Sequence, residues 1–369
     1  MIQSFKKYLL ALPIPMLALC LSLSAQATQL LLVQEAGLDH PTRLWAFSPN
    51  AEEPQLRFNL PTGLKMRVSL ASPYEWFYDE GSGDDFRKWF ALDAQSGKQR
   101  VMTNTASLKQ RFMRIYPERR ADGSYFARAI LPFHQIIYKL PAGKAPQVLL
   151  NRPDLYDFRS LPQGGYVFVT WPVQGRESPD FIDFIPGKKM QLWYQPKSGK
   201  LKRLGAFDTV LDLRVVDNGQ QVVFFTPGQT RPDQTSWRLI RLPLSGAAPQ
   251  RVAEIPKLAR QRGAPHLATW EHLKWVVYAS PMLDNDNSTL RHTFVRHELG
   301  KLPQAWFEEQ EDVFLKGWSP QGYLIREQRS EGQSDSRETR LQCWQVSSGL
   351  QRIEYRWREP YWMQGICVD

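Results

Sequence analysis

The chain has 369 residues, 42% of them hydrophobic, with 47 Lys and Arg against 37 Asp and Glu. The formal charge of +10 is spread along the chain, with no basic cluster interleaved with stacking aromatics, which argues against a nucleic-acid partner. Beyond the N-terminus no segment approaches the ~18 apolar residues of a membrane span, and no Gly/Ser-rich tract, charge block or low-complexity segment divides the chain.

Lys6 and Lys7 precede an apolar run from Tyr8 to Leu23 that is interrupted by Pro13 and Pro15, and the small-residue site Ala25-Gln26-Ala27 follows. This reads as a secretory signal peptide over residues 1–27, cleaved after Ala27. A lipid anchor on Cys20 is the competing reading, but such a cysteine wants a small residue before it and Leu19 stands there. The 369 residues less a leader of 27 leave 342, read as a single domain over 28–369. Two cysteines remain in that part, Cys343 and Cys367, and an oxidising compartment permits them to pair.

The organising element is an apolar strand ended by proline, written three times: Tyr166 to Pro172, Gln221 to Pro227 and Trp275 to Pro281. Runs of β-branched and aromatic residues without polar alternation read as strands buried on both faces. Their spacing of about fifty residues fits the four-strand blades of a β-propeller. In chain order, Gln29–Glu35, Arg43–Phe47 and Gln55–Leu60 give three strands, after which full blades begin near Lys65 and Phe112, two more show Gly-containing turns at Gln163–Gly165 and Asn218–Gly219 before their apolar second strands, and the last two run Leu267–Phe307 and Val313–Tyr355. One more strand, Trp362–Ile366, completes the first blade, so the expected fold is all-β, a seven-bladed propeller closed by pairing of its N- and C-terminal strands. Glycine recurs in the hairpin between the two outer strands, at 97, 143, 199, 246, 300 and 349, where a tight turn needs positive φ. An irregular β-sandwich is the alternative.

Ser319-Pro-Gln-Gly322 before an apolar strand, with hairpins such as Trp193-Tyr194 to Ser198-Gly199-Lys200, resembles the WD-like repeats of TolB-type periplasmic propellers. The Ser-Pro-Asp-Gly turn of that family is degenerate here, as Asp122-Gly123, Gln163-Gly164, Asn218-Gly219 and Gln321-Gly322, with Glu271-His272 in blade six. The α/β domain that precedes the propeller in TolB is expected to be absent, so the resemblance extends to architecture and compartment. It implies a protein-binding platform in the cell envelope.

Catalytic signatures are sparse. No G-x-S-x-G elbow occurs. His292 and His297 are five apart, and an odd separation on a strand sends them to opposite faces. Asp284-Asn-Asp286-Asn-Ser288 has oxygen ligands at alternate positions, as half of a calcium loop would, but Thr289 stands where that loop needs glycine. The acidic loop Asp79 to Asp85 invites the same question, and ordinary turns explain both. Trp76, Trp193, Trp237, Trp275 and Trp344 sit inside strands, which favours packing over sugar platforms. The expectation is therefore a monomeric, non-enzymatic propeller without cofactor or metal, whose partner is an envelope protein. The alternatives are a binder or modifier of cell-wall or capsular polysaccharide, and an enzyme with its site in the central channel.

Connections between the first and second strands and between the third and fourth are read as tight turns. Long loops are expected on the opposite face, at Asp79–Phe86, Val173–Lys189, Gly228–Ser236, Met282–Arg291 and Gln328–Glu338, joined by Pro256–His266. The longest contains Asp180, Phe181, Asp183 and Phe184, two aromatics among acids, and these four residues are the expected partner-binding anchor. Strand counting places Cys343 on the third strand of blade seven and Cys367 on the innermost strand of blade one. Sheets about 10 Å apart, plus two strand spacings, put that pair beyond the ~7 Å a disulfide allows, unless the tail leaves its strand early.

Overall fold

The computed structural model describes residues 29–34, 41–48, 54–62, 66–68, 75–80, 88–101, 118–119, 124–131, 134–141, 144–171, 189–231, 234–256, 265, 267–283, 290–310, 314–318, 322–329, 339–357 and 364–368. The expected signal peptide lies outside them. Seven four-stranded antiparallel sheets stand side by side as the blades of a β-propeller. Blade one holds β1 (Gln29–Gln34), β2 (Pro41–Phe47) and β3 (Gln55–Thr62). Blade two is β4 (Met66–Val68), β5 (Glu75–Glu80), β6 (Lys88–Asp93) and β7 (Gln99–Val101). Blade three is β8 (Glu118–Arg119), β9 (Tyr125–Leu131), β10 (His134–Leu140) and β11 (Gln147–Arg152). Blade four is β12 (Leu155–Ser160), β13 (Gly165–Thr170), β14 (Met190–Pro196) and β15 (Lys202–Phe207). Blade five is β16 (Leu211–Val216), β17 (Gln221–Arg231), β18 (Gln234–Pro243) and β19 (Gln250–Pro256). Blade six is β20 (Leu267–Thr269), β21 (Trp275–Leu283), β22 (Leu290–Glu298) and β23 (Gln304–Gln310). Blade seven is β24 (Phe314–Trp318), β25 (Tyr323–Arg329), β26 (Thr339–Gln345) and β27 (Leu350–Trp357). The last strand, β28 (Gln364–Val368), lies at the inner edge of the first sheet, with Leu30 opposite Cys367 and Leu32 opposite Gly365. Among the described residues no helix is long and apolar enough to cross a membrane.

The second strands carry the core because both their faces meet a neighbouring blade. Val222, Val223, Phe224 and Phe225 are all fully buried, two facing each way. Alternation then assigns them: Val222 and Phe224 join Val167, Val169 and Leu192 of blade four, while Val223 and Phe225 join Val276 and Tyr278 of blade six. The core is thus cut into interfaces, which lets one domain exceed the size of an ordinary single core. Burying one such phenylalanine contributes about 2–3 kcal/mol.

Cys343 and Cys367 form a disulfide with Cα atoms 6.1 Å apart, which corrects the distance expected from strand counting. Cys367 keeps its place in the strand. The error lies in stacking equivalent strands over one another at a mean sheet spacing: β28 packs across β24 and β25, beside β26, and two small side chains face each other there. Both sulfurs are buried among Leu30, Leu32, Ile325 and Leu341. The loop expectations also need correction. Pairing of β17 with β18 continues through Gly228↔Ser236 and Gln229↔Thr235 to Arg231↔Gln234, so Gly228–Ser236 is the upper part of a hairpin. Pairing likewise reaches Leu283↔Leu290, Glu80↔Lys88 and Arg329↔Thr339. The expected strand Phe112–Ile115 lies outside the described residues; the pairing there involves Glu118 and Arg119.

Candidate binding face

One face of the ring is stitched together. It carries the turns between first and second strands, and those of blades four, five and six reach the next blade. The Gln163 amide donates to the carbonyl of Gly219 at 2.7 Å, joining blade four to five. The Asp217 N–H donates to the Leu273 carbonyl at 2.9 Å, joining five to six. The buried Asp217 carboxylate accepts from Gln221 Nε2 at 2.5 Å and lies 3.6 Å from Lys274 Nζ. Gly322 of blade seven meets Leu273 so closely that a Cβ would stand 2.5 Å from Cδ1. Asn218-Gly219, visible in the sequence as a turn, is therefore an inter-blade contact: Gly219 has φ +78°, and a Cβ there would sit 2.8 Å from the Pro162 ring. His272 faces Asn218 Oδ1 at 3.3 Å across the same seam.

Arginines bind the innermost strands in the same sense. Arg128 of blade three donates to the Tyr156 carbonyl of blade four at 2.6 Å, and Arg159 of blade four to the Leu213 carbonyl of blade five at 2.8 Å. Asp157 lies 3.0 Å from Arg159, and Asp212, at φ +52°, lies 2.7 Å from Arg214. These acids face guanidiniums, an arrangement that suits stitching and differs from the facing carboxylate pair of glycoside chemistry. The half-buried Trp275 and Trp306 face the Arg296 guanidinium at 5.3 and 5.8 Å, and Arg296 in turn donates to the Val346 carbonyl of blade seven at 3.1 Å. Trp306 meets Trp344 edge-on at 5.7 Å. Trp76 and Trp237 are buried.

The opposite face carries the hairpins between second and third strands. Among the described residues β17 and β18, of 11 and 10 residues, are the longest such pair, against six and seven for β13 and β14 in the blade before. Asp180, Phe181, Asp183 and Phe184 fall in 172–188, outside the described residues; the strands leading to and from that interval pair at Thr170↔Gln191. Residues 81–87 and 284–289, which include most of the two acidic loops, also lie outside them. Among the described residues no group of three or more His, Cys, Asp or Glu is placed to hold a metal ion. On β22, His297 is buried, where desolvation holds its pKa below the usual histidine value and Nε2 meets the Lys301 carbonyl at 2.8 Å.

Beside this face, an open cleft of about 510 Å³ runs outward between blades four and five. Its apolar wall is Ala206, Phe207, Pro227, Ile240 and Pro249. Phe207 is anchored edge-on against the buried Phe224 at 4.8 Å, so one side of its ring is fixed to the core. Lys189, Arg238 and Arg251 supply cations, and Asp208 lies 3.9 Å from Lys189. Glu254 lies 3.5 Å from Arg238 and 2.6 Å from Arg251. The Ser236 hydroxyl donates to Glu254 at 2.7 Å; that bond first, and then the two arginines, hold its carboxyl below the usual carboxylate range. Sequence reading missed this site because its walls come from Lys189 to Arg251, in strands of two blades. The only local trace is a basic residue inside otherwise apolar runs, Arg238 before Leu239-Ile240.

The fold is shared with solved structures at low identity. A candidate 6-phosphogluconolactonase from Bacteroides fragilis aligns with a TM-score of 0.53 and 8% identity over 94% of this chain and 99% of the other. An uncharacterised protein of Listeria monocytogenes aligns at 0.54 and 9% identity, over 88% and 90%. TolB from Acinetobacter baumannii also matches, at 0.46 and 11% identity; the alignment covers 92% of this chain and 66% of that one, just under two thirds of its length. Likeness at this level concerns the fold. No protein-family profile matches the sequence, and no curated protein matches it.

Proposed function

We propose that the protein is an exported, periplasmic propeller that presents its hairpin face to another protein of the cell envelope and carries no catalytic group of its own. The contrast between the faces supports this most. Residues that join blade to blade crowd the turn face, as with Gln163, Asp217 and Gly322, whereas the opposite face carries hairpins that outrun the blade, as with β17 and β18. Variable segments on a rigid scaffold are where binding usually resides. Export is supported by the leader-like pattern of residues 1–27 and by the buried Cys343–Cys367 bond, which an oxidising compartment permits.

Phe181 and Phe184 remain the anchor we assign to this face. With tagged protein as bait in an envelope extract, a defined protein partner is expected in the eluate. Phe181→Ala with Phe184→Ala should weaken its capture by more than ~1 kcal/mol in sum and leave the melting temperature nearly unchanged. An eluate with soluble glycan and no protein partner would overturn the reading. If the double substitution unfolds the protein, the segment packs the propeller instead.

A further inference from the structure

The cleft between blades four and five has a chemistry of its own. Lys189, Arg238 and Arg251 bring three positive charges to it, against the carboxylates of Asp208 and the adjoining Glu254. The acids are arranged unequally. Asp208 and Lys189 are both largely exposed, at 67% and 59%, and 3.9 Å apart, so solvent screens their pairing and an incoming group can displace it at little cost. Glu254 is less exposed and lies near both guanidiniums, 3.5 Å from Arg238 and 2.6 Å from Arg251. A planar guanidinium held in place is suited to a carboxylate, which it meets with two parallel hydrogen bonds. Beside these cations the wall of Phe207, Ile240, Pro227 and Pro249 offers apolar surface, and Phe207 cannot swing away because its ring is braced on Phe224.

We propose that this cleft is a docking groove for an acidic segment of a partner protein in which carboxylates alternate with aromatic or aliphatic side chains. The carboxylates meet Arg251, Arg238 and Lys189, while the apolar side chains lie on Phe207 and Ile240. This rests on the protein-binding reading above and names the chemistry of what is bound. The groove's volume, about 510 Å³, accommodates a few side chains and not a folded surface. The occupant is therefore a segment.

The test uses the full exported chain and a fluorescent peptide, acetyl-Asp-Phe-Asp-Phe-Asp-amide, beside the same peptide with Asn in place of Asp. The acidic peptide should bind at low salt, weaken as salt rises, and outcompete its Asn counterpart at least tenfold. Lys189→Glu with Arg251→Glu should reduce its affinity at least tenfold. Both side chains are more than half exposed, so the fold should survive, and the neutral pair Lys189→Gln with Arg251→Gln is a second variant should the reversal disturb it. Lys301→Glu, equally exposed on the outer hairpin of blade six, should leave binding unchanged. Binding insensitive to both double variants, equal binding of the Asn peptide, or preference for polygalacturonate over the peptide overturns the groove. The two readings fail separately: an envelope partner captured equally by the Lys189 and Arg251 variants refutes the groove and leaves the platform standing. Peptide binding lost in those variants, with no envelope partner captured, refutes the platform alone.

Discussion

The two faces of this ring are built from the same strands and differ in what their connections touch. On the turn face Gln163, Asp217 and Leu273 hand hydrogen bonds from blade to blade, and glycines stand where a side chain would collide with the neighbour. On the hairpin face β17 and β18 continue pairing with each other up to Arg231↔Gln234. An insertion on the first face would disturb a seam between two blades. On the second it lengthens a hairpin whose bonds are internal. Stability and variation are thus assigned to opposite sides of the molecule, and substitutions on each side should differ accordingly.

The largest effect is expected where the ring closes. Removing residues 361–369 takes away β28, exposing an unpaired edge on β1 and emptying its place against β24 and β25. Loss of a cooperative melt is expected; a melt within a few degrees of the parent would break the account of the closure. Cys343→Ser with Cys367→Ser leaves that strand in place and removes only its covalent tie. Since the bond closes a loop of 24 residues in sequence separation, about 3 kcal/mol is expected, read as a lower denaturation midpoint. On the turn face, Gly219→Ala forces a side chain to φ +78° and against Pro162, for roughly 1–3 kcal/mol.

A smaller effect concerns pH. Burial lowers the pKa of His297 in the folded chain below the 6.5 of the free side chain. Between those two values the unfolded chain binds more protons, so the stability contributed by neutral His297 is present above pH 6.5 and lost as pH falls through the folded value. His297→Gln should flatten that part of the stability profile, measured by urea denaturation at successive pH values. The smallest effect belongs to the rim of the cleft: Arg251→Ala removes an exposed ion pair with Glu254 and should change stability by less than ~0.5 kcal/mol. A cost comparable to that of Gly219→Ala would erase the distinction between the faces.

Much of this was legible from the chain. The apolar runs before Pro172, Pro227 and Pro281 mark second strands, although Pro227 and Pro281 do not end them, since β17 and β21 go on pairing at Pro227↔Trp237 and Pro281↔His292; the outer-hairpin glycines at 97, 199, 246, 300 and 349 all have positive φ, as the register required. These signals are local, since a strand's period and a turn's backbone are written in adjacent residues. What was not legible depends on how sheets sit against one another. The Cys343–Cys367 bond follows from β28 lying across blade seven, a matter of twist and offset that mean spacings miss. The cleft brings Phe207 to Arg238 and Arg251 across a blade boundary, and nothing in the neighbouring sequence of any of them announces the others.

Hydrogen–deuterium exchange on the captured complex tests the central claim most directly. The account predicts that the envelope partner slows exchange in peptides covering 172–189, 228–236 and 282–291, while those covering 161–165, 217–220, 270–274 and 299–303 keep the rates of the free protein. Protection confined to the second set would place the partner on the stitched face and contradict it.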